Sequence, residues 1–522
     1  MTRLHAPTAR ELWHARVEDT PDAPFLLDDD GGAWTFQQAD VEMRRMAAGL
    51  EAHGVVQGER VLVALPNSPQ ALFVHAALRE LGAVLVPVVP GLTHDELAFQ
   101  AAHCEARILI ADEEAAALAE GPHGLPGRVE TVIGGGRRAV ATLEEAAGHA
   151  PLSQRALPGY DEQSPWVVFY TSGSTGRPKG VVLPAGSFVS AGMGYADRFE
   201  VGPDDNYILP TPMAHAVGGL TAQSIALRTG CRLTLVDRFS PSRFWGQVER
   251  AGATVTILFP AHLNLLLELE ASGPARGETP LRQVITHQWI EPFRARFGIE
   301  LGLCWGMTET GATSAGSPPG YDGSLGEGYV GPGMNGVEIG ILSAEGARLP
   351  AGEVGEIALR HRHAMLEYLN DADATARVLT EGWVRSGDYG SLDERGHLFF
   401  RGRIKNMIKR SGENVSPEEV ESALNRHELV AESLVLGIPD PLRTEEVAAV
   451  VVLRSGADLD APALAAFAAQ HLARWKSPRY LALQHTPLPR LANGKIDRST
   501  IARALDLAAC WDRERERAGA HR

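Results

Sequence analysis

Hydrophobic positions along the chain change repeatedly between a helical period and an extended one. Segment 68–82 begins with Ser-Pro, carries apolar residues at helical spacing and ends in glycine, and an apolar run at 83–89 follows it directly. Segment 240–252 has the same Ser-Pro start and glycine end, before the apolar run 254–259. Such segments predict capped helices that alternate with buried strands. The pattern therefore predicts an α/β fold whose mostly parallel sheets are covered by helices on both faces.

A change in pattern near residue 403 predicts a domain boundary. Beyond it, Ser416 and Glu419 have the spacing of a capping box, in which each side chain accepts a hydrogen bond from the other residue's backbone amide. The elements predicted there are strands at 433–438 and 447–453, a helix over about 461–474, a short strand near 480 and a closing helix. We therefore expect a large N-terminal domain, 1–403, and a small mobile α/β C-terminal domain, 404–522.

The composition is that of an ordinary globular protein, and it excludes some partners. The 522 residues are 44% hydrophobic and carry a formal net charge of −16, which argues against nucleic acid or an anionic membrane surface as the main partner. No apolar run approaches the ~20 residues of a membrane span, and the first residues lack a signal-peptide core. The cysteines are far apart, which predicts buried free thiols in a reducing compartment. We expect a cytoplasmic protein.

Residues 171–180, Thr-Ser-Gly-Ser-Thr-Gly-Arg-Pro-Lys-Gly, form the most distinctive motif of the chain. Apolar runs on both sides predict a loop between two strands, in which glycines let backbone amides point at an anion. The spacing differs from that of the common ATPase loop, because Pro178 stands five positions after Gly173. Many loops of this composition are solvated turns, but the donors of this one also suit phosphate oxygens, and the candidate phosphate-binding residues are Thr171, Ser172, Gly173, Ser174, Thr175, Gly176 and Lys179.

This loop resembles the phosphate loop of the adenylate-forming superfamily, which contains acyl-CoA synthetases, nonribosomal adenylation domains and luciferases. Further blocks similar to those of the superfamily follow in its order: Trp305-Gly-Met-Thr-Glu309, Ser386-Gly-Asp388, the segment 402–415 and Pro489-Arg-Leu-Ala-Asn-Gly-Lys495. The resemblance implies that ATP converts a carboxylic acid into an acyl-adenylate with release of pyrophosphate, and that a thiol then displaces AMP.

The resemblance also implies which residues act on the phosphates. Glu309 corresponds to the ligand of Mg2+, and a single hard carboxylate oxygen suits an ion that is otherwise held by phosphate and water. Thr308 beside it is expected to contact the α-phosphate. Lys495 corresponds to the catalytic lysine, which stabilises the charge that grows on the α-phosphate during adenylation.

The same resemblance implies the nucleoside contacts. Asp388, which follows Gly387 in an expected turn, and Arg403 correspond to the ribose ligands. Trp305 stands where the superfamily usually has a tyrosine that stacks on adenine, and Gly306 follows it. Tryptophan keeps the aromatic face for stacking but lacks the phenol.

Residues after the boundary correspond to the moving parts of the superfamily. Lys405 matches the hinge about which the small domain turns between the half-reactions. Ser411, Gly412 and Glu413 fall on the side at which CoA enters. Since the sequence ends soon after Lys495, we expect no fused carrier domain.

The acyl pocket is expected where the superfamily has it, with a histidine gate between the acid and the thiol channel. Bulky residues at 286–288 replace a run that is small in many relatives, and glycine at 306 is expected to leave depth for the acid. The pocket and gate residues are His215, Gly219, Thr286, His287 and Gly306.

The sequence thus predicts an ATP- and Mg2+-dependent acid–thiol ligase that transfers a small-molecule carboxylic acid to CoA. The runs 244–248, 253–256 and 406–416 resemble the crotonobetaine/carnitine-CoA ligase branch, which supports the reaction and leaves the acid open. A separate acyl or peptidyl carrier protein is the alternative acceptor. An inactive nucleotide-binding sensor and a light-emitting oxidase are further alternatives, and the oligomeric state, a homodimer among the options, is left open.

Overall fold

The computed structural model describes residues 6–120, 125, 129–136, 139–171, 178–269, 273–312, 314–410, 413–441, 443–472, 475–491 and 495–515. At Lys405 and Glu413 the description covers the backbone alone. In this part of the chain, no helix combines the length and apolar character needed to cross a bilayer.

Helices are distributed along the whole described chain. The α-helices are α1 (Ala9–Asp19), α2 (Phe36–Ala52), α3 (Pro69–Leu81), α4 (His94–His103), α5 (Glu113–Glu120), α6 (Leu143–Ala147), α7 (Gly186–Arg198), α8 (Gln223–Thr229), α9 (Pro241–Ala251), α10 (Pro260–Glu268), α11 (Glu291–Phe297), α12 (Ala372–Val378), α13 (Pro417–Asn425), α14 (Ala461–Ala468) and α15 (Arg498–Ala504). Shorter helical turns are a π-helix at Val217–Ala222 and 3-10 turns at Thr308–Thr310 and Ile404–Asn406.

The strands are mostly short. They are β1 (Pro24–Asp28), β2 (Ala33–Thr35), β3 (Arg60–Ala64), β4 (Val84–Pro87), β5 (Ile108–Ala111), β6 (Thr131–Gly134), β7 (Ala139–Ala141), β8 (Pro165–Thr171), β9 (Lys179–Pro184), β10 (Asn206–Leu209), β11 (Arg232–Leu235), β12 (Val255–Ile257), β13 (Gln283–Thr286), β14 (Glu300–Trp305), β15 (Ala315–Gly316), β16 (Tyr329–Gly331), β17 (Glu338–Leu342), β18 (Gly355–Arg360), β19 (Glu367–Tyr368), β20 (Leu379–Thr380), β21 (Trp383–Leu392), β22 (Leu398–Arg403), β23 (Ile408–Arg410), β24 (Glu413–Val415), β25 (Val430–Asp440), β26 (Thr444–Leu453), β27 (Tyr480–Gln484) and β28 (Trp511–Asp512).

Two mostly parallel sheets form the body of the larger compact unit. Their orders are β15-β14-β13-β12-β10-β11-β1-β2 and β19-β9-β8-β4-β3-β5-β6-β7. Alternate residues of each strand face different cores: Ile257 and Ile285 join a cluster that also takes Val61 from the other sheet, whereas Val284 joins a second cluster. The main core therefore lies between the two sheets, and helices cover their other faces, as predicted for an α/β fold.

The chain divides into two compact units that are not simple halves of the sequence. One contains Met1–Ile339, Ala358–Arg385 and Arg395–Leu398, and the other Gly340–Ile357, Ser386–Glu394 and Phe399–Arg522. A further sheet runs in the order β16-β22-β21-β18-β17, with β20 beside β21. The boundary at 403 stays a prediction, since compactness alone does not show about which residue a chain turns.

The C-terminal part of the smaller unit is the predicted small α/β module. Its sheet runs β24-β23-β26-β27-β28, with β25 paired along β26. Strands β25 and β26 extend beyond the predicted 433–438 and 447–453, and helix α14 stops at Ala468, short of the predicted 474. One apolar cluster packs on each face of this sheet.

Local signals predicted the helix ends well. The hydroxyl of Ser68 accepts from the amide of Ala71, and Gly82 ends α3 in the left-handed region at φ 67°. Only half of the predicted capping box forms at α13: Ser416 accepts from the Glu419 amide at 3.3 Å. The carboxylate of Glu419 instead pairs with Lys476, at 2.6 and 2.8 Å, because an ammonium is a stronger partner than a backbone amide.

Two helical glycines differ in the space around them. A Cβ on Gly49 of α2 would lie 2.0 Å from the carbonyl oxygen of Ala146, whereas one on Gly246 of α9 would meet only the guanidinium of Arg250, at 3.4 Å. Gly49→Ala should destabilise the protein by about 1–3 kcal/mol, because the backbone of α6 must move. Gly246→Ala should stabilise it by roughly 0.5–1 kcal/mol through helix propensity alone.

Denaturant unfolding of both variants beside the wild type measures this difference. Stabilisation by both substitutions would show that the close approach of α2 to α6 is not present in solution.

Candidate functional site

The predicted acyl-site residues lie at one edge of the first sheet. Strands β10, β12, β13 and β14 are adjacent, and neighbouring strands run parallel. Parallel strands place all their carboxyl ends at the same edge, which is where ligands bind in open α/β sheets. His215, Phe259, His287 and Gly306 all follow the ends of these strands. A topological rule thus brings together residues that are almost 100 positions apart.

The ring of Phe259 joins the two predicted pocket histidines. It meets His215 edge-on with ring centroids 5.8 Å apart, and it stacks on His287 at 5.5 Å with 22° between the planes. The carbonyl oxygen of Cys304 lies 3.0 Å from Nδ1 of His287, so this nitrogen carries the proton. At His215, Nδ1 accepts from the amide of Val217 at 3.3 Å. Phe259 is a site residue that the sequence motifs did not reveal.

The other predicted pocket residues have packing roles. Thr286 is fully buried and lies, by strand alternation, on the same face as Val284 rather than on that of His287. A Cβ on Gly219 would lie 2.2 Å from the carbonyl oxygen of Met213. A Cβ on Gly306 would lie 2.7 Å from that of Ala312. The close contact with the Ala312 backbone is by itself a sufficient reason for glycine at 306. The expected depth for the acid stays a prediction.

The phosphate-loop motif lies between two strands, as predicted. Strands β8 and β9 are antiparallel, and Thr171 pairs with Lys179 across the ends of the hairpin. The predicted phosphate ligands Ser172, Gly173, Ser174, Thr175 and Gly176 lie outside the described residues. The described ends of the motif thus belong to two strands, and the element that follows the motif is strand β9 rather than a helix.

The described end of this hairpin meets the predicted metal ligand through a tyrosine. The ammonium of Lys179 lies 4.6 Å from the ring centre of Tyr368, and the hydroxyl of Tyr368 donates to Oε1 of Glu309 at 2.7 Å. Glu309 lies in the 3-10 turn Thr308–Thr310 that follows β14. Burial, and after it the nearby Glu309 carboxylate, raises the pKa of the Tyr368 phenol. The phenol therefore stays neutral and can donate its proton in a hydrogen bond.

The donor set at this turn fits Mg2+ that arrives with a nucleotide. In the described residues, no three His, Cys, Asp or Glu side chains are arranged to hold a metal by themselves. Mg2+ commonly takes one or two protein carboxylates and completes its shell with phosphate oxygens and water. The half-buried Glu309 can supply such a carboxylate, and Thr308 beside it adds a hydroxyl.

Trp305 closes the last parallel strand before this turn. It is 8% exposed and pairs with Ala315 of the short strand β15. The stacking role on adenine stays a prediction.

The two predicted ribose ligands lie together in the smaller unit. Nε of Arg403 is 3.3 Å from Oδ1 of Asp388, whose residue is 6% exposed. The expected turn at Asp388 is wrong, because the residue lies inside the long strand β21. Gly387 before it has φ 71°, and its amide donates to Glu356 at 2.9 Å, so a local irregularity of a strand produced the turn-like signal.

The remaining predicted residues lie in the same unit. Lys405 is in the 3-10 turn Ile404–Asn406, and Glu413 begins β24. Ser411 and Gly412 lie outside the described residues. Lys495 is exposed, and its carbonyl accepts from the amide of Leu491 at 2.8 Å.

Comparisons with known proteins cover nearly the whole chain. The family model described as AMP-binding enzyme matches residues 13–369, and the model described as AMP-binding enzyme C-terminal domain matches 419–495. A sulfoacetate–CoA ligase of Cupriavidus necator is 32% identical over 509 residues, covering 94% of this chain and 96% of the relative. A crotonobetaine/carnitine–CoA ligase of Salmonella paratyphi A is 30% identical over 518 residues, covering 94% and 98%.

Solved structures show the same fold. An anthranilate CoA ligase in complex with anthranoyl-AMP has a TM-score of 0.88 at 23% identity, covering 97% of this chain and 99% of that one. An amide bond synthetase from Marinactinospora thermotolerans has a TM-score of 0.83 at 28% identity, covering 95% and 100%. With matches over both parts of the sequence, the chain belongs to the AMP-binding enzyme family.

Proposed function

We propose that the protein is an AMP-forming acid–thiol ligase that works in two half-reactions. A carboxylate oxygen attacks the α-phosphorus of ATP, the bond from that phosphorus to the bridging oxygen breaks, and pyrophosphate leaves. The sulfur of a thiolate then attacks the acyl carbon, and AMP leaves with the former carboxylate oxygen. The net reaction joins an acid and a thiol as ATP is converted to AMP and pyrophosphate.

The contact of Lys179, Tyr368 and Glu309 is the observation that carries this proposal. It joins the described end of the phosphate-loop motif to the predicted Mg2+ ligand, although the two are 130 residues apart in sequence. Adenylation depends mainly on positioning and on neutralising phosphate charge, and a cation and a candidate metal ligand that contact the same tyrosine are groups suited to this task. Mg2+ would supply further positive charge to the phosphates when it is bound.

The curated relatives favour CoA as the thiol and a small polar acid as the substrate. Both of those reported are CoA ligases, and the acids in their names, sulfoacetate and carnitine or crotonobetaine, are small and charged. The amide bond synthetase among the structural neighbours shows that this fold also serves other acceptors. A separate carrier protein therefore stays the second candidate acceptor, and an assay with CoA alone distinguishes the two.

We further propose the roles that the motifs imply. Asp388 and Arg403 bind the ribose and Trp305 stacks on adenine. His215 and His287 form the wall of the acid pocket beside Phe259. Lys405 is the hinge at which the chain turns between half-reactions, and residues 411–413 contact the thiol substrate.

Lys495→Ala should abolish adenylation, because this lysine stabilises charge that develops only in the transition state. The acid substrate is first selected by screening a panel of carboxylic acids with the wild type. With that acid, we expect the rate of ATP–pyrophosphate exchange to fall by about 100- to 1,000-fold in the variant. Thioester formation from supplied acyl-adenylate should be retained. Lys476→Ala is the control, since that lysine is paired with Glu419 and should affect neither step.

Equal losses in both half-reactions of the Lys495 variant would contradict its role. No exchange by the wild type with any carboxylic acid would contradict the function itself.

His287→Ala should change which acids are accepted. Removing the exposed ring that stacks on Phe259 enlarges the proposed pocket, so KM for bulky acids should fall relative to KM for small ones. Glu300→Ala, at the exposed amino end of β14, is the control and should leave the ratio unchanged. An unchanged acid profile in the His287 variant, measured by pyrophosphate exchange, would place the pocket elsewhere.

Lys405→Pro tests the hinge. Proline suits the φ of a 3-10 turn but fixes it near about −65°, so one of the two working conformations should be lost. We expect adenylation to survive, acyl-AMP to accumulate and the thioester to fall, as measured by chromatography of a single turnover. A thermal unfolding curve checks that the variant is folded. Normal thioester output would rule out a turn at this residue.

A further inference from the structure

Strand β19 has two residues and lies outside the predicted motifs. The residues that flank it form hydrogen bonds to predicted site elements on both sides. The amide of Met365 donates to the carbonyl of Glu309 at 2.7 Å. On the other side, the amides of Leu366 and Leu369 donate to the carbonyls of Val182 and Gly180, at 2.9 and 2.7 Å. The segment therefore bridges the metal-ligand turn and the strand that begins at Lys179.

The register of this pairing places one side chain between the two motifs. Tyr368 stands opposite Val181 in the antiparallel pair of β19 and β9. Lys179 lies two residues before Val181 and so on the same face of the strand. Backbone hydrogen bonds therefore fix where the Tyr368 ring lies, independently of any ligand.

The hydroxyl and the ring of Tyr368 contact different residues. Its hydroxyl uses one oxygen of the Glu309 carboxylate, at 2.7 Å, and its ring face receives the Lys179 ammonium at 4.6 Å. The residue is 5% exposed, so both contacts are shielded from water and are stronger than they would be on the surface. A hydrogen bond to one oxygen fixes the plane of the carboxylate and directs the other oxygen.

We propose that Tyr368 is a positioning residue for the nucleotide: its hydroxyl orients Glu309 toward the Mg2+ of Mg·ATP, and its ring holds Lys179 beside the phosphates. The inference rests on the proposed function and extends it to a residue outside the motifs. The two ends of the side chain have separable effects. The hydroxyl acts only through the metal ligand, whereas the ring acts on a lysine that meets phosphate with or without metal.

Calorimetric titration with ATP in the presence of Mg2+, and again in EDTA, separates these effects and requires no acid substrate. Tyr368→Phe should weaken binding of Mg·ATP by about 10-fold, within the range known for residues that orient metal ligands. In EDTA its ATP affinity should stay within a factor of about two of the wild type, because the ring remains. Tyr368→Leu should weaken binding in both conditions, by about 5-fold in EDTA.

Glu309→Gln provides the internal reference. If the hydroxyl acts through Glu309, adding Tyr368→Phe to Glu309→Gln should produce no further loss of Mg·ATP affinity. Tyr160→Phe, a tyrosine of the same unit with a shielded phenol whose pKa burial raises to about 12, is the matched control and should bind like the wild type. Thermal unfolding of every variant checks that the fold is kept.

The outcomes are distinct. An equal loss with Mg2+ and with EDTA in Tyr368→Phe, or no loss in either, overturns the positioning role and leaves the proposed function in place. Additive losses in the double variant also overturn it. Failure of the wild type to bind ATP in both conditions would instead overturn the proposed function.

Discussion

Two backbone hydrogen bonds, from the amides of Leu366 and Leu369 to the carbonyls of Val182 and Gly180, hold the edge strand on the hairpin. This register places the ring of Tyr368 between Lys179 and Glu309. A slip by one residue would turn the ring to the opposite face of the sheet. The arrangement of the proposed phosphate and metal ligands Lys179 and Glu309 thus depends on backbone pairing.

The proposed acid pocket depends on a different constraint, the common direction of four adjacent strands. Because β10, β12, β13 and β14 run parallel, the loops that follow them open at one edge. Phe259 then connects His215 to His287 by ring contacts at 5.8 and 5.5 Å. The last strand of this row also leads into the turn with Glu309, whereas Lys179 and Tyr368 belong to the other sheet, so this contact joins the two sheets.

The sequence predicted best those features that carry a local signal. Ser-Pro starts and glycine ends gave helices α3 and α9 within a residue, because proline and glycine set the backbone at their own positions; the serine side chain caps α3 and not α9. The fold class followed from the alternation of helical and extended hydrophobic patterns, and the reaction followed from the ordered motifs. Tyr368 was missed, because a two-residue strand has no period and its partners come from distant parts of the chain. Asp388 was wrongly placed in a turn, because the glycine before it is a typical turn residue and sequence alone does not distinguish a turn from an irregular position within a strand.

Close backbone contact at Gly306 has a consequence for altering this enzyme by directed evolution. The carbonyl of Ala312 lies within 2.7 Å of where a Cβ would stand, so a library randomised at 306 would return mostly destabilised proteins and little information about acids. His287 is exposed and anchored through Nδ1 to a main-chain carbonyl, so its neighbours need not move when it is replaced. In the proposed acid pocket, substitutions at the ends of β12 and β13 should therefore disturb the fold least, whereas the end of β14 favours glycine.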